Sequence, residues 1–255
     1  NSPEDKIVYK GVVLNEMKGE FSSPESCIDR QLAHSLFPST PYGYESGGDP
    51  QSIPNLSYEE FKEFHRKHYH PSNSRLFLYG DGDTQSYLDY LQANYLKDFE
   101  LMDVDTSIAH QRSFRKPKRK TLTYPISSHE TLEKKTYVLL GYKLDKAVNH
   151  EHCLGFSILS HLLLGSSASP LRKALITSEL GSEVIGGGFD DNRADTIFAV
   201  GLKGTEPEHE DKVLALIDST LRDLVENGIE EDMIRSAVNS IDFRLREANV
   251  GGFPK

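Results

Sequence analysis

Cysteine is scarce in this chain. Two residues in 255, Cys27 and Cys153, lie far apart and form no C-x-x-C pair, which argues against both a disulfide framework and a zinc knuckle and suits a reducing or neutral compartment. Long apolar runs are lacking as well: stretches such as Leu162-Leu163-Leu164 fall far short of the roughly 20 residues of a spanning helix, so no membrane partner is expected. Positive charge is in deficit. With 29 Lys and Arg against 39 Asp and Glu, the net charge of −10 repels nucleic-acid phosphates and draws cationic ligands. Familiar catalytic signatures are missing too. None of the ten histidines stands in H-x-x-E-H or H-E-x-x-H, no G-x-S-x-G nucleophile elbow occurs, and Gly186-Gly187-Gly188 matches neither glycine-rich phosphate loop. The triplet reads instead as a flexible or bulged strand entry. What is present, 37% hydrophobic and 27% charged residues, suits a globular chain of one large or two ordinary domains.

Leu32, Leu36 and Phe37 recur at helical spacing after a break at Phe21–Glu25, and Pro38–Pro54 reads as a long loop. Ser57 followed by Glu60 is a capping box opening a helix with Phe61, Phe64, His68 and Tyr69 at helical spacing. Pro71 stops it, and Arg75–Gly80 reads as a buried strand. Thr84 starts another helix carrying Tyr87, Leu88, Leu91 and Tyr95. From about 100 to 133 the chain is polar and aperiodic, including the basic run Arg115–Lys120, as a solvated linker would be. After it come a strand at Thr136–Leu144, helices at His152–Leu164 and Pro170–Thr177, a pair of strands in Glu183–Lys203, and helices from about Glu206 to Glu226 and Glu230 to Glu247. This order predicts an α+β fold of α/β sandwich units, helices on one face of a largely antiparallel sheet, one unit partial and one nearly complete. The expected divisions are 1–100, a linker at 101–133, and 134–255.

The stretch with the sharpest chemistry is Gly11-Val-Val-Leu-Asn-Glu-Met-Lys-Gly19, which sets one carboxylate, Glu16, at the head of a helix with no neighbouring acid to pair with. It resembles the distal metal-ligand segment of the pitrilysin-type inverted-zincin metalloendopeptidases, in the presequence protease and falcilysin branch. The stretch Pro41–Asp83, with its Tyr-His-Pro-Ser-Asn turn and closing Gly-Asp, the run Thr136–Leu144, and the final Ala248–Lys255 resemble further landmarks of that branch in the same order. The resemblance implies that Glu16 is the third zinc ligand. Two His ligands and a general-base Glu come from an H-x-x-E-H helix that this sequence does not contain.

Because Asn1 stands only fifteen residues before Glu16, the chain reads as a central fragment of a larger enzyme, with no catalytic residue of its own and inactive alone. The resemblance further implies one zinc ion in the intact enzyme, a closed chamber in two halves, and short unstructured peptide substrates such as cleaved presequences. Those peptides would be basic, to suit an acidic interior. The remaining N- and C-terminal parts of the same polypeptide are the expected partners, with no nucleic acid and no membrane. Residence in the mitochondrial matrix or a plastid, chloroplast or apicoplast, is implied as well. A noncatalytic scaffold homologue keeps the same fold and loses the enzyme. A third reading takes His65, His68 and His70 as a metal chelate, but Pro71 pushes His70 off the face that His65 and His68 share, and an exposed His-rich helix end is the simpler reading. His150 and His152 read as loop decoration before a helix.

Overall fold

The structure, a computed structural model, describes residues 8–247; the landmark Ala248–Lys255 lies outside the described residues. Packing groups them into two compact units: residues 8–17 with Gly47–Ser107, and Lys18–Ser46 with Ile108 onward. This grouping departs from divisions at 100 and 133, because residues 18–46 pack with the second unit. The reason lies in its sheet.

Three antiparallel strands, β1 (Thr136–Lys146), β2 (Glu183–Asp190) and β3 (Asp195–Thr205), lie in the order β1-β3-β2. Side chains alternate across a strand, so on the central β3 Val200 and Leu202 face one side and Ile197 and Ala199 the other. Both sides are buried. Val200 and Leu202 join Val138, Leu162, Leu163, Leu171, Leu175, Val213 and Ile217 in one core, formed with helices α5 (His150–Leu164), α6 (Pro170–Thr177) and α7 (Glu210–Asn227). The final helix, α8 (Glu231–Arg246), packs on α5 and adds Ala237.

The opposite face is covered by α2 (Pro24–Leu36), whose N-terminus is capped by Ser23 ahead of Pro24. Leu36 and Phe37 bury Ile197 there, a Cβ at Gly141 would collide with Leu32, and Tyr137 Oη donates to Glu25 Oε1 at 3.1 Å. Helices on one face alone was therefore the wrong expectation. A central strand apolar on both sides needs cover on both, and α2 supplies the second layer.

The glycine triplet is a bulge within β2, not its entry. Register shifts between Ile185↔Gly201 and Gly188↔Ala199, and Gly186, Gly187 and Gly188 all adopt positive φ, at 102°, 72° and 79°, which glycine alone tolerates well. The segment between 101 and 135 has no regular structure, yet part of it is tied down. Arg119 bonds Glu210 and Asp211 at the head of α7, both at 2.6 Å, and Lys134 N donates to Glu206 Oε1 at 2.7 Å. The basic run is thus partly docked rather than wholly solvated.

In the first unit, α3 (Tyr58–His68) opens on the expected capping box of Ser57 and Glu60. α4 (Thr84–Leu91) is capped by Asp83 and runs into a single π-helical turn at Gln92–Leu96. Arg75–Gly80 contradicts its reading as a buried strand. It joins no sheet among the described residues, and Leu76, Phe77 and Leu78 are 62%, 87% and 48% exposed. A strand becomes buried only when neighbours cover its faces, and among the described residues none does.

Candidate functional site

Glu16 sits on α1 (Val12–Glu20). It is the middle residue of that helix rather than its head, and Glu20 stands one turn further on, an acid that the sequence reading overlooked. Leu14 and Met17 are the buried residues of α1, and at about 100° per residue Glu16 projects away from the line between them. A Cβ at Gly47 would press on Met17, so the methionine is held closely. The Glu16 carboxylate is exposed and has no hydrogen bond or ion pair to another described residue. A carboxylate on a helix, with no neutralising cation among the described residues, has the chemistry of a hard anionic donor. One such donor is a third of the three protein ligands usual at catalytic zinc. Among the described residues no three His, Cys, Asp or Glu come together as a metal site.

The histidines of the H-x-x-H-x-H cluster are engaged elsewhere. His65 stacks on Tyr69 with centroids 4.6 Å apart, and His68 lies against Phe64 at 4.5 Å. His70 Nδ1 accepts from Ser72 N at 3.2 Å, capping the short turn Pro71–Asn73, and its ring meets the edge of Phe99. The H-x-x-H-x-H cluster is not brought together as a chelate. His65 and His70, but not His68, line a wide cleft of about 870 Å³ along α3 together with Tyr58, Phe61, Tyr69 and Phe99, and Glu16 is not part of that lining. His150 and His152 are not loop residues: they form the first turn of α5 after the Asn149 cap, and His152 pairs with Asp145. Both cysteines are free, and burial pushes the Cys153 thiol up, away from reactivity.

The polar cluster that sequence reasoning missed is centred on Asp195, which is 2% exposed. Its carboxylate accepts from Gln111 N at 2.7 Å and pairs with His110 Nδ1 at 3.0 Å and Lys143 Nζ at 3.5 Å. Burial alone would raise its pKa, but the Gln111 amide, Lys143 and His110 together hold it below the usual aspartate range. Gln111, also buried, accepts from Ser39 N at 3.1 Å through Oε1. The cluster therefore fastens residues 110–111 and the end of the α2 segment to the start of β3. A lone Asp in Arg-Ala-Asp-Thr carries no sequence signal for this role.

A three-stranded antiparallel sheet with helices on both faces makes the second unit an α+β domain, and no complete metal centre is present among the described residues. The chain belongs to the M16 peptidases: the family model "Peptidase M16 inactive domain" matches residues 55–241. It is similar to Protein HypA of Clostridium perfringens (strain 13 / Type A), 44% identical over 98% of this chain and 26% of that protein. It is also similar to "Presequence protease 1, chloroplastic/mitochondrial" of Arabidopsis thaliana, 43% identical over 100% of this chain and 24% of that protein. The chain thus spans about a quarter of the length of these relatives. A solved peptidase M16 inactive domain from Pseudomonas fluorescens shares the fold, with a TM-score of 0.61 at 19% identity over 90% of this chain and 53% of that one.

Proposed function

We propose that this chain is a portion of a zinc metalloendopeptidase that degrades short unstructured peptides such as cleaved presequences, and that Glu16 supplies one of its metal ligands. The observation that carries this is the exposed Glu16 carboxylate within Gly11–Gly19, without a hydrogen-bond or ion-pair partner among the described residues, in a chain matched along its whole length by a presequence protease. Zinc, when bound, polarises a scissile carbonyl and acidifies a water. Glu16 would hold the ion by an anionic oxygen from a helix anchored through Leu14 and Met17, which fixes the donor's direction. The remaining ligands and the general base would come from an H-x-x-E-H segment of the parent polypeptide, and by itself this chain would neither retain zinc nor cleave peptides. The chain's net charge of −10 supports basic peptides as substrates through long-range attraction.

The test uses the full-length parent protein. Glu16→Gln should lower bound zinc, measured by atomic absorption, and reduce peptide cleavage by about a hundredfold or more, as loss of a metal ligand or its support typically does. Full zinc content with full activity would refute the role of Glu16. The second reading is a noncatalytic scaffold homologue; the match to a model described as an inactive domain suits both readings, since relatives named presequence protease align over the same stretch. A degenerate H-x-x-E-H in the parent would select the scaffold reading. An organelle address is supported by the name of the Arabidopsis relative at 43% identity and opposed by a bacterial relative at 44%; imaging the tagged full-length protein decides it.

A further inference from the structure

One stripe of α5 is out of character with the rest of that helix. Ser157, Ser160 and His161, followed by Leu164, stand at positions i, i+3, i+4 and i+7 and line a cleft of about 230 Å³. The bulge of β2 closes it with Gly187 and Phe189, and α8 brings Arg244 to its rim. No carboxylate lines this cleft, in a chain with ten more acidic than basic residues.

Its polar groups are also unspent. Among the described residues, neither the Ser157 hydroxyl, the His161 ring nor the Arg244 guanidinium has a hydrogen-bond or ion-pair partner, whereas the other α8 arginines, Arg235 and Arg246, are paired with Glu231 and Asp242. Ser160 Oγ accepts from Phe189 N at 3.0 Å, which leaves its proton to donate. A Cβ at Gly187 would meet nothing within 4 Å, so the backbone there is open to the cleft. Ser157, Ser160 and His161 are half-buried and Arg244 is exposed beside them, so the guanidinium can reach a ligand from solvent; a guanidinium with hydroxyls and an imidazole around a small space favours a planar or tetrahedral anion.

We propose that this cleft binds a small oxyanion, a phosphate or a carboxylate group, held by Arg244 with Ser157, Ser160 and His161. The site is independent of Glu16 and of any metal. Calorimetric titration of the full-length parent protein with inorganic phosphate at low ionic strength should show saturable binding. Arg244→Gln should weaken it by about tenfold, the scale of one charge-assisted hydrogen bond, and Ser157→Ala by a smaller factor. Arg235→Gln, which removes an equal charge from the same helix, should leave it unchanged. Absence of saturable binding, or equal weakening by the Arg235 and Arg244 variants, would overturn the proposal; should Arg244→Gln fold poorly, unchanged binding in Ser157→Ala would do so. Competition by a short peptide then identifies the source. Displacement of phosphate by the free-acid peptide alone supports a carboxylate ligand, displacement by neither supports phosphate, and equal displacement by the free acid and its amide rejects an oxyanion site.

Discussion

Asp195 shows how one residue can hold a segment remote in sequence. Its partners are the Gln111 amide, His110 and Lys143, and Lys143 is itself only 14% exposed. Removing the carboxylate strands that ammonium, so Asp195→Ala should cost about 3 kcal/mol, the lower end for breaking a buried pair. Asp195→Asn, which keeps an acceptor for the Gln111 amide, should cost less. Because the folded pKa is depressed, the stabilisation is present above the unfolded value of about 3.9 and fades as pH falls through the lower folded value. Denaturant melts should therefore separate wild type from Asp195→Asn at pH 7 and bring them together in the acid range below that window. An unchanged gap there would exclude the ionised form as the source. At this scale the sequence was uneven as a guide. Glu16 stood out through its surrounding motif, whereas Asp195, Ser157 and Arg244 matter only through neighbours from distant parts of the chain.

Capping and bulge chemistry decide the shape of individual elements. The capping box at Ser57 was readable, since it acts over three residues, whereas the Ser23 cap lay inside a stretch read only as a break. The glycine triplet was readable as an irregularity but not in its register, which depends on what β3 places opposite. That difference gives a paired prediction. A Cβ at Gly186 would lie 2.6 Å from the Ala199 carbonyl in a backbone at φ 102°, so Gly186→Ala should destabilise by about 3 kcal/mol from strain and overpacking together. Gly187 has the same kind of backbone with open space around it, and Gly187→Ala should cost only the conformational part, about 1 kcal/mol. Thermal melts of the two variants check this, and equal losses would mean that the close approach of β2 to β3 is not what selects glycine. Arg75–Gly80 failed as a buried strand for a complementary reason: a run of Leu, Phe, Leu and Tyr specifies extended backbone and apolar faces, but not who covers them.

At the scale of the molecule, the two units differ in how completely they bury apolar surface. The second unit encloses a continuous core, while in the first Phe61, Phe64, Tyr69, Leu76 and Phe77 are each more than 60% exposed. Apolar patches of this kind promote association, so the chain on its own should self-associate. Replacing Leu76 and Phe77 by Lys should shift sedimentation toward the monomer while leaving the melting of the second unit within about 0.5 kcal/mol, as for exposed substitutions generally. Association unchanged by the double variant would move the sticky surface elsewhere.

What the sequence determined by itself was whatever is local or periodic: the α+β class, the positions of most helices, the two long strands around the glycine triplet, and the family motif around Glu16. Periodicity and caps are written within a few residues, so they survive without a fold. Tertiary structure alone decided that α2 covers the second face of the sheet, that Asp195 gathers partners from the linker and β1, and that α5, β2 and α8 converge on one unspent set of donors. Those outcomes depend on which surfaces meet, and a surface acquires a partner only when the chain has folded back on itself.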